Sequence, residues 1–114
     1  MEFACKNFNI EEVIRCSLKL TKSDYKILKL LMENPNKKLD TNYIASKLNI
    51  DLSTVQRSLK KMSEKKIVKR SQINLDKGGY SFIYCICDKE EMRYSVKKII
   101  YNWIDKFNLE IERW

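Results

Sequence analysis

The tightest constraint on this chain is a joint of three residues. Between Asp40 and Glu64 two short helical patterns are separated only by Asn49, Ile50 and Asp51. Ile44, Ala45 and Leu48 mark the buried side of the first. Leu52, Val55, Leu59 and Met62 recur at spacings of three and four and mark that of the second. Asp40 or Thr41 caps the first helix. Asn49 accepts the left-handed backbone that ends it, and Asp51 is placed to cap the second, expected over about residues 52–65. Two helices on so short a turn, the second amphipathic and basic, form a helix-turn-helix.

The flanking sequence supplies what such a pair needs to close a core. Asn9 caps a helix carrying Ile10, Val13, Ile14 and Leu18. Thr21 and Asp24 form a capping box that opens a second helix, apolar nearly all round through Ile27, Leu28, Leu30, Leu31 and Met32. Pro35 stops it, since a residue before proline avoids helical dihedrals. A short extended piece at Lys37–Leu39 leads into the joint. After it, "IVKRSQINL" and "GYSFIYCICD" read as a β-hairpin. Its turn lies at Asp76, Gly78 and Gly79, with Lys77 at the tip. Tyr80, Phe82, Tyr84 and Ile86 alternate with Ser81, Ile83, Cys85 and Cys87. Residues 88–114 read as one long helix capped by Asp88. Its wide stripe runs through Met92, Val96, Ile99, Ile100, Trp103, Ile104, Phe107 and Ile111. The expected class is therefore mainly α with a small β-hairpin. Three segments are expected: a helix in 1–20, a core at 21–87 and a long helix at 88–114.

Charge divides the chain the same way. The net +8 falls wholly within residues 21–87, because the acids and bases of each flank cancel. A charge confined to one segment marks a surface for a polyanion. The competing account is a lysine-rich, solvated surface. On the second helix of the joint, Ser53, Arg57, Lys60 and Lys61 lie opposite the apolar side, with only Glu64 offsetting them.

Other chemistry finds little support. There is no histidine, no glycine-rich phosphate loop and no nucleophile with an evident base, so no catalytic residue is assigned. Cys5, Cys16, Cys85 and Cys87 contain no CxxC pair; buried free thiols are expected, with a redox sensor or iron–sulfur ligands as the alternative. No metal and no cofactor are expected. "MEFACKNFNI" lacks an apolar leader segment, and the longest apolar run, 82–87, is too short for a bilayer. A cytoplasmic protein without a membrane partner is expected.

The stretch "LDTNYIASKLNIDLSTVQRSLKKMSEKKIVKRS" resembles the core of prokaryotic winged-helix transcriptional regulators, nearest to the archaeal TrmB-like and MarR-like groups. Thr41, Ala45, Leu48, Val55, Leu59, Lys66, Val68 and Arg70 match in order. Lys66 is followed directly by Ile67, where many members have glycine before the wing strand, and the wing reads as short. The resemblance implies a winged helix-turn-helix whose flanking helices dimerise.

It also implies double-stranded DNA as partner, with the helix at about 52–65 in the major groove. Ser53, Thr54, Gln56 and Arg57 would meet base edges, Gln56 suiting adenine and Arg57 guanine. Lys60, Lys61, Lys69, Arg70 and Lys77 would meet phosphate, and Thr41 and Asn42 would offer backbone N–H groups to it. Ile10, Val13 and Ile14 together with the stripe from Met92 to Ile111 would form a homodimer interface. A two-fold dimer would present its recognition helices about 34 Å apart to a palindromic site. The rival classes are a protein-interaction winged helix and an RNA-binding one. An effector pocket near Tyr94, Tyr101, Trp103 and Trp114 is a lesser alternative to packing.

Overall fold

The structure, a computed structural model, describes residues 2–3, 6–7, 9–86 and 88–114 of the 114. Element order is β1 (Glu2–Phe3), β2 (Lys6–Asn7), α1 (Ile10–Leu18), α2 (Lys22–Glu33), β3 (Leu39–Asp40), α3 (Thr41–Leu48), α4 (Leu52–Glu64), β4 (Val68–Asn74), β5 (Tyr80–Ile86) and α5 (Lys89–Arg113). Contacts divide the chain into two compact units, residues 21–87 and a unit of residues 1–20 with 88–114.

Unit 21–87 is a winged helix: three helices with a three-stranded antiparallel sheet ordered β3-β5-β4. Its core is Ile27, Leu28 and Leu31 of α2, Ile44 of α3, and Val55, Leu59 and Met62 of α4, all completely buried. Each such side chain withdrawn from water contributes roughly 1.5–3 kcal/mol before entropy is counted. Leu52 departs from expectation. It is 41% exposed, because it is the first residue of α4 and lies a turn outside the part of the helix that α2 and α3 cover.

The helix starts follow the sequence with one exception. Thr21 and Asp24 form both bonds of the capping box, Asn9 accepts from Glu12 N–H, Asp40 from Tyr43 N–H and Asp88 from Glu90 N–H. Asp51 makes no side-chain cap bond, so it begins α4 without capping it. Pro35 acts as expected: α2 ends at Glu33.

Three helix ends share one device. After α1, α3 and α4, the residues Lys19, Asn49 and Lys66 take left-handed dihedrals, with φ of 55°, 53° and 62°. Leu20 N–H bonds to Arg15 C=O, Ile50 N–H to Ala45 C=O and Ile67 N–H to Met62 C=O, each reaching back five residues. This is the Schellman motif, whose left-handed position usually holds glycine or asparagine. Lys66 therefore takes, without being glycine, the left-handed position just before the wing strand. The chain's two glycines, Gly78 and Gly79, sit instead at the hairpin tip with φ of 92° and 82°.

The wing strands lie within the two segments read from the sequence. Seven consecutive pairs join β4 to β5, from Val68–Ile86 to Asn74–Tyr80. At about 3.4 Å per residue such strands reach some 20 Å. The short extended piece before α3 is also a strand: Leu39 pairs with Tyr84 and Asp40 with Ile83.

In the other unit, β1 and β2 form a small antiparallel hairpin that no sequence pattern announced. α5 has 25 residues, about 37 Å at helical rise. Met92 is buried and Val96, Ile99 and Ile100 are half-buried, but every residue from Tyr101 to Trp114 is exposed. Met92, expected at an interface between chains, is thus already covered in the single chain. The thiols also differ from expectation: Cys16 is exposed and Cys85 half-buried, while Cys5 and Cys87 lie outside the described residues. No described helix is long and apolar enough to cross a membrane.

Candidate nucleic-acid interface

α4 lies with Val55, Ser58, Leu59 and Met62 inward, which leaves Ser53, Gln56, Arg57, Lys60 and Glu64 exposed. Thr54 and Lys61 are half-buried at the border. The guanidinium side of Arg57 thus faces solvent, with Gln56 beside it and Lys60 one turn on. Four residues expected at base edges, Ser53, Thr54, Gln56 and Arg57, occupy the first two turns together.

Two grooves flank this surface. One, of about 330 Å³, runs between the start of α2 and α4 and is lined by Thr21, Ser23, Asp24, Thr54, Arg57, Ser58 and Lys61. Its floor is Asp24, only 3% exposed. Asp24 accepts the Thr21 N–H at 2.9 Å and pairs with Lys61 Nζ. Burial pushes its pKa up; hydrogen bonds from Lys61, Ser58 and the Thr21 N–H, with the ammonium's charge, outweigh that and hold the carboxyl below its ordinary range. Lys61 was expected to meet phosphate, yet its charge is already engaged inside the protein.

The second groove, of about 170 Å³, lies between α4 and the wing and is lined by Lys60, Ser63, Glu64, Arg70 and Tyr84. The register explains its composition. Directly paired residues share a sheet face, so Val68, Arg70, Gln72 and Asn74 stand with Ile86, Tyr84, Phe82 and Tyr80. The root of that face is buried through Val68 and Tyr84, and its outer part carries Arg70 over the Phe82 ring, with Tyr80 edge-on to Phe82. Lys69 pairs with Cys85 and lies on the opposite face. The structure therefore brings Lys60 and Arg70 together, places Lys77 at the distant tip and leaves Lys69 away from this groove.

At the start of α3, Thr41 is half-buried and Asn42 exposed. Asp40 accepts the Tyr43 N–H at 2.7 Å and adds a negative charge, both of which work against a phosphate at this terminus. Asp24, Ser58, Phe82 and Tyr80 were not singled out from sequence as parts of the surface. For the aromatic pair a signal existed: once the turn fixes the register, Arg70 falls diagonal to Phe82. No group of residues able to hold a metal ion occurs among the described residues.

Residues 8–108 match the profile of the DnaD N-terminal domain. An uncharacterized protein of Methanocaldococcus jannaschii is 30% identical over 108 residues, spanning 95% of this chain and 80% of that one. A solved Methanosarcina mazei structure described as a possible transcriptional regulator superposes with a TM-score of 0.93 at 45% identity, over 100% of this chain and 95% of its own. A MepR variant of Staphylococcus aureus, bound to an oligodeoxyribonucleotide, gives 0.60 at 16% identity over 88% and 71%, a likeness of fold alone.

Proposed function

The chain belongs to the DnaD N-terminal domain family, and on that premise we propose that it is a sequence-reading, double-stranded DNA-binding regulator, not an enzyme. The observation that carries this reading is the outward side of α4: Gln56, Arg57 and Lys60 exposed on a helix whose other side is locked in the core. A major groove accepts one helix of this kind, and its base edges suit an amide and a guanidinium. Ser53 and Thr54 join them in the first turns. Lys60 and Arg70, lining one groove, take adjacent phosphates; Lys69 and Lys77 contribute longer-range attraction, and Asn42 a lesser contact at α3.

The neighbours support the regulatory class. The Methanosarcina mazei relative carries that description over essentially the whole chain, and the MepR fold is seen with DNA. The narrower TrmB-like and MarR-like grouping rests on the sequence pattern of residues 41–70. The protein acts as a homodimer through α5, with Ile10, Val13 and Ile14 of α1 contributing, since Tyr101–Trp114 has no cover of its own. An action inside the cytoplasm follows from that role.

A mobility-shift titration tests the reading, using the DNA upstream of the protein's own coding region against random duplex and single-stranded RNA, at two salt concentrations. Preferential retention of one duplex supports it. Equal binding to RNA and random DNA favours a general polyanion binder and overturns sequence reading.

A further inference from the structure

We infer that Asp24 is a positioning residue for the recognition helix: it ties Lys61 to the start of α2, so that this cation is withheld from nucleic acid and α4 is fixed with Arg57 outward. The inference rests on the DNA-binding reading above and deepens it. Asp24 is buried to 3% exposure, yet belongs to both sides of the groove. On α2 it accepts the Thr21 N–H while its own N–H donates to Thr21 Oγ1 at 3.1 Å. From α4 it receives Lys61 Nζ and a hydrogen bond from Ser58. Ser58 and Lys61 are three residues apart and share one side of α4. A carboxylate gripping both opposes rotation of the helix about its axis. Arg57 precedes Ser58 and lines the same groove, so that rotation would move it directly.

The arrangement also sorts two neighbouring lysines. Lys60 is exposed and unneutralised by any ion pair among the described residues, whereas Lys61 is paired. Adjacent positions of equal formal charge therefore differ in what they give to a polyanion. Each phosphate neutralised by a free cation steepens the dependence of log K on log salt by about 0.9. Lys60 adds to that slope and Lys61 does not.

Salt titrations of duplex binding by the full chain, on the preferred and on random DNA, separate the possibilities. Lys60→Ala is expected to flatten the slope by about 0.9 and Lys61→Ala to leave it unchanged. Asp24→Asn is expected to steepen it by about 0.9, to strengthen random-DNA binding and to reduce the ratio of preferred to random affinity. Asp24→Asn combined with Lys61→Ala should restore the original slope. A purely structural Asp24 would lower affinity without steepening the slope. Should Asp24→Asn fail to fold, Lys61→Ala decides alone: flattening equal to that of Lys60→Ala overturns the inference and leaves the DNA reading intact. Failure of the unsubstituted protein to bind duplex at low salt overturns both.

Discussion

The Arg70 guanidinium lies 4.4 Å from the centre of the Phe82 ring, two residues along β5 from Tyr84, its directly paired partner across the wing. The ring holds a long, mobile cation in place beside Lys60 instead of leaving it to sweep through solvent. Such a contact at an exposed site contributes roughly 0.5–1 kcal/mol. Phe82→Ala is therefore expected to weaken duplex binding by about 3-fold on preferred and random DNA alike, with the salt slope unchanged because the charge remains. Arg70→Ala should weaken both and flatten the slope by about 0.9. Fluorescence anisotropy across a salt series reads both; a flattened slope in Phe82→Ala would show that the ring is needed to bring Arg70 to phosphate at all.

Arg57 and Lys77 carry the same charge at different places, one on the second turn of α4 and one at the wing tip. Arg57→Ala is expected to cost about 1–3 kcal/mol of discrimination at a single base position, with little change on random sequence. Lys77→Ala should weaken all sequences alike. Competition binding against a set of single-base variants measures both, and equal losses on preferred and random DNA for Arg57→Ala would mean that this side chain reads no base.

The left-handed backbone at Lys66 has a measurable cost. A Cβ in that conformation crowds the following carbonyl, and glycine removes the clash. Lys66→Gly is expected to stabilise the fold by about 1 kcal/mol, the gain being trimmed by the freer unfolded chain. Urea unfolding should show a higher midpoint at unchanged m. Asn49→Ala, at the equivalent turn of the joint, should lower stability by a similar amount.

These turns show where the sequence is readable. Each is a helical stripe ending in lysine or asparagine and then an apolar residue: Lys19–Leu20, Asn49–Ile50, Lys66–Ile67. The period of the stripes placed every helix, because core burial and period are one and the same constraint. The joint at Asn49 was legible since asparagine is a usual left-handed residue; Lys66 was not, since lysine is not. Leu52 misled because periodicity says which side a residue faces, not how far along the helix the neighbours extend. The pairing of β3 with β5 and the grip of Asp24 on Lys61 escaped for a common reason. Both join segments far apart in sequence, and no local pattern encodes such a distance.

Asp24 makes stability depend on acid. Its folded pKa lies below its unfolded value of about 3.9, so the carboxylate stabilises the fold at pH above that value. That contribution is lost as pH falls through the depressed folded pKa, when the bonds from Thr21 N–H, Ser58 and Lys61 lose their anionic acceptor. Stability should therefore decline below about pH 4 in the unsubstituted protein and decline less in Asp24→Asn, which starts lower by about 2 kcal/mol at neutral pH for a lost cap and ion partner. Urea midpoints between pH 2 and 7 test this. Parallel curves for the two proteins would assign acid sensitivity to other carboxylates.

The distal half of α5 poses a physical problem that a second chain would resolve. From Tyr101 to Trp114 every residue is exposed, among them Trp103, Ile104, Phe107, Leu109 and Ile111, between 45% and 62% accessible. A helical stretch of this length is marginal in water unless an apolar face is covered. Two copies laid against each other would cover it, and a stable pair calls for about 800 Å² from each partner. Phe107→Asp should leave the winged-helix unit folded, since the side chain is 62% exposed in the single chain. It should also place a charge where the partner packs. Sedimentation equilibrium is expected to give a dimer for the unsubstituted protein and a monomer for Phe107→Asp. The monomer should bind a palindromic duplex at least tenfold more weakly while keeping its affinity for a half-site, because linking two sites raises affinity without new contacts. A monomer at high concentration from the unsubstituted chain would remove the dimer from the proposal and leave a single recognition helix to account for all binding.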